Sequence, residues 1–246
     1  MDSATLKAPQ FPLPQLELGR ALAEFSTLPV ARVLLRAAPR GDGHPVITLP
    51  GFLGGDRSTG MIRRYIRERG YDMRPWTLGQ NLGPRAIGDE GEYLAERVLQ
   101  VFQETRRKVS LVGWSLGGVM AREVAKELPN QVRQVITLGS PFAGNPNDTP
   151  VGRLYRRVTG HDTNSPEFVH MMRTIAEPPP HVPSTAIFSK TDGVVHWRAC
   201  IEPESKLTDN IEVRASHCGL GVHPLVMFLI AERLALPETD WAPFNR

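Results

Sequence analysis

Residues 109–128 constrain the fold of this 246-residue chain more than any other stretch. Val109-Ser-Leu-Val112 is a short β-branched apolar run of the kind that forms a buried strand, and Gly118-Val-Met-Ala-Arg-Glu-Val-Ala begins an amphipathic helix stopped at Pro129. Between them stands Gly113-Trp114-Ser115-Leu116-Gly117, so the chain must turn from strand to helix in five residues. A G-x-S-x-G pattern in that setting predicts a sharp, strained turn with the serine at its tip and a glycine on either side, because the turn crowds the backbone. The tip lies at a helix N-terminus, whose unpaired N–H groups favour negative charge. A serine hydroxyl is a weak nucleophile, and this arrangement exposes it where a base and oxyanion donors can reach it.

The rest of the chain alternates in the same way. Pro45–Leu49, Asp72–Leu78, Val132–Leu138, Thr185–Ser189 and Ile211–Arg214 read as further strands. Helices are expected after Ser58 up to Gly70, over Ile87–Arg107 and from Pro224 to about Leu234. Strands alternating with helices predict an α/β chain with a mostly parallel sheet flanked by helices. Two short amphipathic helices, broken at Pro29, are expected over Leu16–Leu35, after a loose arm at residues 1–14. The proline-rich interval 144–183 interrupts the alternation and is too long for a plain loop, which predicts a small helical cap inserted in a single domain spanning residues 1–246.

A base and an acid are then required. His217, in Ala215-Ser216-His217-Cys218-Gly219, directly follows the last expected strand, and Asp192, in Ser189-Lys190-Thr191-Asp192-Gly193, follows the strand before it. The chain order Ser115, Asp192, His217 predicts a nucleophile, an orienting acid and a general base. For the oxyanion, one N–H is expected from Leu116, after the nucleophile, and the other from Phe52 in the turn Pro50-Gly51-Phe52, with Leu53 the alternative. Leu53, Trp114 and Phe142 are candidate substrate contacts.

Together, Leu49-Pro50-Gly51-Phe52, Gly113–Gly118, Leu138-Gly139-Ser140-Pro141-Phe142, Ser189–Val195 and Ser216-His217 resemble the lipase and carboxylesterase branch of the α/β-hydrolase superfamily over roughly residues 44–235. Many bacterial lipases carry His-Gly in the oxyanion loop, where this chain has Pro50. The resemblance implies an α/β-hydrolase fold and hydrolysis of small-molecule or lipid carboxylic esters without metal or organic cofactor. Acyl transfer and thioester or amide cleavage use the same three residues, and a silent hydrolase fold that only binds ligands is the reading from another class. The resemblance also extends to secreted lipases in which a disulfide ties the acid and base loops. Cys200 and Cys218 are the candidates, against the reduced thiols of a cytosol.

Composition narrows the partners. The 29 basic and 26 acidic residues are mixed along the chain, giving a net charge of +3 and no reason to expect nucleic acid. The remaining histidines, His44 among them, show no metal-ligand spacing. Met1–Pro14 has no apolar signal region, and Leu225–Ile230 is too short to span a bilayer, so a cytoplasmic protein is expected. Arg153, Arg156 and Arg157 in the cap read as a solvated face, with contact to an anionic membrane surface or an acidic substrate as the alternative.

Overall fold

The computed structural model describes residues 9, 12–143 and 174–244. Most of the expected cap, with its arginines, therefore lies outside the described residues. Six strands form one fully parallel sheet: β1 (Pro45–Leu49), β2 (Asp72–Arg74), β3 (Val109–Trp114), β4 (Val132–Leu138), β5 (Ser184–Phe188) and β6 (Thr208–Glu212), in the order β2-β1-β3-β4-β5-β6. The helices are α1 (Leu13–Ser26), α2 (Arg32–Ala37), α3 (Gly60–Glu68), α4 (Pro84–Ile87), α5 (Glu92–Thr105), α6 (Leu116–Glu127) and α7 (Pro224–Leu234).

Successive strand residues point to opposite faces, so a sheet buried on both sides needs apolar residues at consecutive positions. Val46, Val112, Ile136 and Ile187 pack with Ile62 and Ile66 of α3 and with Val226, Leu229 and Ile230 of α7. Their neighbours Ile47, Leu111 and Val135 face the other way, onto Leu94 and Val98 of α5 and Met120, Ala121 and Val124 of α6. This two-sided burial explains why the strands read as continuous apolar runs rather than alternating ones.

Several boundaries differ from expectation. The helix expected over Ile87–Arg107 is interrupted, because Gly88 and Gly91 adopt φ of 90° and 82° and separate α4 from α5. β2 stops at Arg74, just before Pro75, since a proline cannot donate to the ladder. The last strand begins three residues earlier than Ile211. α1 begins at Leu13, and its early Pro14 is compatible with a first helical turn; the expected arm otherwise lies almost wholly outside the described residues.

α1 also departs from the usual sense of an amphipathic helix. Leu16, Leu18 and Leu22 face solvent, while its buried residue is Glu17.

Candidate active site

The strand order places a topological switch point at the carboxyl ends of β1 and β3. The connection from β1 leaves towards β2 on one side, and that from β3 leaves towards β4 on the other, which is where open parallel sheets take their ligands. Ser115 stands at this switch point, between β3 and α6, with φ 53° and ψ −122°. For a residue with a Cβ this backbone is strained, at a cost of about 1–3 kcal/mol. It is held there by its own N–H, which donates to Leu138 O at 2.8 Å, and by its carbonyl, which accepts from Gly118 N–H at 3.0 Å. A Cβ at Gly117 would collide with the carbonyls of Leu49 and Pro50, so only glycine lets α6 begin so close to the end of β1.

The acid and the base meet. Nδ1 of His217 and Oδ2 of Asp192 are 2.6 Å apart, and both residues are buried. Oδ1 of Asp192 accepts from the N–H groups of Val194 and Val195 at 2.8 and 2.7 Å, which fixes the carboxylate and leaves Oδ2 for the ring. Burial alone would lower the His217 pKa. The charge and hydrogen bond of Asp192 outweigh it, with the charge of Glu17 adding to them, and the pKa rises above the ordinary histidine value.

The base loop lies against the serine turn through Trp114, whose Nε1–H donates to His217 O at 3.2 Å. Among the described residues the Ser115 hydroxyl is not itself hydrogen-bonded to the imidazole.

The turn after β1 abuts Ser115: a Cβ on Gly51 would stand 3.3 Å from Ser115 Cβ and 4.0 Å from its Oγ. Leu53 N–H donates to Asn81 O at 2.8 Å. Its side chain is exposed. Phe52 is half-buried in the same turn, and Leu116 occupies the first position of α6, where a backbone N–H has no partner within the helix.

Other expected site residues fall elsewhere. Phe142 is fully buried with Val119, Ile175 and Ala186, under the guanidinium of Arg122 at 3.8 Å from its ring centre. Its ring is packed within this cluster. The Cys200–Cys218 bridge is not formed, and both thiols are free. Cys200 is buried among Phe188, Val195 and Ala199, whereas Cys218 meets Glu17 of α1, so the two are engaged by different parts of the structure. Burial raises both thiol pKa values, that of Cys218 to about 11.

A second serine–histidine–aspartate grouping lies at the opposite, amino end of the sheet. His44 Nδ1 is 2.5 Å from Asp42 Oδ1, and its Nε2 is 2.8 Å from Ser110 Oγ. Ser110 is fully buried within β3, and burial with nearby Arg133 lowers the His44 pKa to about 4 despite Asp42. A hydroxyl sealed inside a strand cannot meet a substrate, so this grouping ties β1 to β3.

Two supporting residues have no sequence signature. Buried Asn81 donates through Nδ2 to Pro50 O at 2.7 Å and accepts from Gly83 N–H at 3.0 Å, fixing the turn beside Ser115. Ser189 Oγ donates to Ala215 O at 2.7 Å and accepts from Ala215 N–H at 3.2 Å, joining the acid loop to the base loop. Among the described residues no group of histidine, cysteine and carboxylate side chains could hold a metal, and no helix is long and apolar enough to cross a membrane.

Comparison with known proteins bears on the fold. A family model described as "PGAP1-like alpha/beta domain" matches residues 85–176. A triacylglycerol lipase of Pseudarthrobacter phenanthrenivorans is 29% identical over 109 residues, which is 42% of this chain and 34% of that relative; the match thus spans about a third of the relative's length. Lipase B of Aspergillus fumigatus superposes with a TM-score of 0.61 at 18% identity, over 84% of this chain and 55% of that one. The mature lipase BlEst2 of Bacillus licheniformis superposes with a TM-score of 0.57 at 17% identity, over 81% of this chain and 95% of that one. The pyrethroid hydrolase PytH gives 0.56 at 18% identity, over 79% and 98%. The chain has the α/β-hydrolase fold.

Proposed function

We propose that this α/β-hydrolase-fold chain is a serine hydrolase that cleaves carboxylic esters through an acyl-enzyme on Ser115. The observation that carries this reading is the 2.6 Å His217–Asp192 pair beside a serine held at φ 53° on a strand-to-helix turn. His217 takes the proton of Ser115 as its Oγ attacks the ester carbonyl, then delivers that proton to the leaving alkoxide. Water repeats the sequence to release the acid. Asp192 keeps the Nδ1 proton in place and stabilises the imidazolium. The contact between Ser115 and His217 closes as substrate binds, a tightening common at such sites. N–H groups of Phe52 and Leu116 receive the developing oxyanion. The exposed Leu53 and the neighbouring Phe52 and Leu116 favour an apolar acyl chain. The similarity to lipases supports the ester class.

Treatment with a fluorophosphonate should label the chain at Ser115, with labelling abolished in Ser115→Ala. p-Nitrophenyl esters from butyrate to octanoate should be cleaved faster than acetate. A folded chain that neither labels nor hydrolyses any of these esters would overturn the reading.

A further inference from the structure

Three side chains of the helix α1 make six hydrogen bonds to the two loops that hold Asp192 and His217, and all six come from one face. Glu17, Arg20 and Glu24 are spaced three and four apart and therefore share that face. Glu17 Oε1 accepts from Gly193 N–H at 2.7 Å, directly after Asp192, and its Oε2 accepts from Cys218 N–H at 3.0 Å, directly after His217. Arg20 donates to Thr191 O at 2.6 Å and to Thr191 Oγ1 at 2.9 Å, and lies 3.6 Å from Glu17. Glu24 accepts from both the N–H and the hydroxyl of Ser216, at 2.7 and 2.9 Å. The residues on both sides of His217 and the residue after Asp192 are thus bonded to a single helix.

We propose that α1 is a strap that sets the spacing of the acid and base loops, with Glu17 as a positioning residue for the Ser115 reaction; this rests on the serine-hydrolase reading above. Two features argue against ordinary packing. Glu17 is the buried residue of α1, while Leu16, Leu18 and Leu22 face solvent, so polar bonds rather than apolar burial seat the helix. Both loops also supply glycine where the helix presses. A Cβ at Gly193 would stand 2.5 Å from Leu13 O and 2.7 Å from Glu17 Oε1, and one at Gly219 would collide with Glu24.

A carboxylate taken from water must find hydrogen bonds. Here each oxygen of Glu17 takes one loop, which makes the two loops share a rigid reference. Reacting groups displaced by about 1 Å cost on the order of 10² in rate. The charge of Glu17 also favours the imidazolium that forms as Ser115 is deprotonated, one cause of the raised His217 pKa. Among the described residues, Asp192 bonds the ring itself, while Arg20 and Glu24 of α1 bond the loops that flank it and Cys218 follows it on its own loop.

The test compares the full chain with Glu17→Gln and Glu17→Ala. kcat and KM for p-nitrophenyl butyrate are followed from pH 5 to 9, and amide hydrogen exchange is measured in segments 189–195 and 214–220. Glu17→Gln keeps the size but loses the charge and one of the two acceptors. It should lower kcat about tenfold or more with KM within twofold, and move the acid limb of kcat/KM to lower pH. Glu17→Ala should lower kcat about 10²-fold and speed exchange in both segments together. Unchanged kcat and acid limb in folded Glu17→Gln, or an effect on KM alone, would overturn the positioning role. Unchanged exchange in Glu17→Ala would overturn the strap. If the unaltered chain neither hydrolyses nor labels, the serine-hydrolase reading has failed, and the exchange data still judge the strap by themselves.

Discussion

Replacing Asp192 with Asn preserves the shape of the acid loop and reverses one hydrogen bond. The N–H groups of Val194 and Val195 both point at Oδ1, at 2.8 and 2.7 Å, and two donors at one site require an acceptor. The amide oxygen of Asn must therefore take the Oδ1 position, which turns its NH₂ towards Nδ1 of His217 in place of Oδ2. A ring that meets a donor at Nδ1 carries its proton on Nε2. It then has no lone pair to accept the proton of Ser115. The variant also loses the charge that stabilises the imidazolium. For a triad acid replaced by its amide, the expected loss is about 10⁴ in kcat, or roughly 5 kcal/mol in the barrier at about 1.36 kcal/mol per tenfold. Steady-state hydrolysis of p-nitrophenyl butyrate measures this, with thermal unfolding to establish that the variant is folded and fluorophosphonate labelling to report the nucleophile alone. A fall of less than tenfold, with Ser115 labelled at the unaltered rate, would refute the assignment of Asp192 as the orienting acid.

Asn81→Ala removes the donor to Pro50 O and the acceptor for Gly83 N–H, leaving two buried backbone groups unpaired beside the oxyanion turn. Each unpaired group costs about 1–3 kcal/mol, so the midpoint of urea unfolding should fall. The loosened turn should lower kcat by about 10–10² with little change in KM; unchanged kcat would show that Asn81 does not set this turn. His44 makes the fold acid-sensitive. Its pKa is about 4 when folded, against the ordinary value near 6.5, so between these the unfolded chain binds the proton that the folded chain refuses. Stability should therefore fall as pH drops from about 6.5 to about 4, by up to roughly 3 kcal/mol. Thermal melts should show a flatter acid profile for His44→Gln, and an unchanged profile would assign the sensitivity to other groups.

Local features of the chain were legible because they are settled by neighbours in sequence. The strand–turn–helix around Ser115 depends on residues within about ten positions, and the glycines that permit its turn are written beside it. The consecutive apolar residues of β1, β3 and β4 announce a sheet covered on both faces. The order of Asp192 and His217 after successive strands follows from parallel topology, because every strand must end at the same side. The pairing of these two residues is thus what the alternation implies.

What the tertiary structure decided concerns groups that meet from distant parts of the chain. Glu17 reaches Gly193 and Cys218, 176 and 201 positions away, and nothing in a helical pattern distinguishes a glutamate destined for burial from one facing water. For the same reason the apolar residues of α1 suggested a face for the core, whereas its polar face is the one engaged. Asn81, in a short turn, has no periodicity to betray it. Phe142 and the two cysteines looked like site residues because of their neighbours in sequence, yet side-chain direction places one ring in the core and leaves the thiols unbridged. Periodicity and turn chemistry report which face of an element is apolar and where the backbone bends. Only the packed chain determines which distant backbone N–H meets a given carboxylate oxygen.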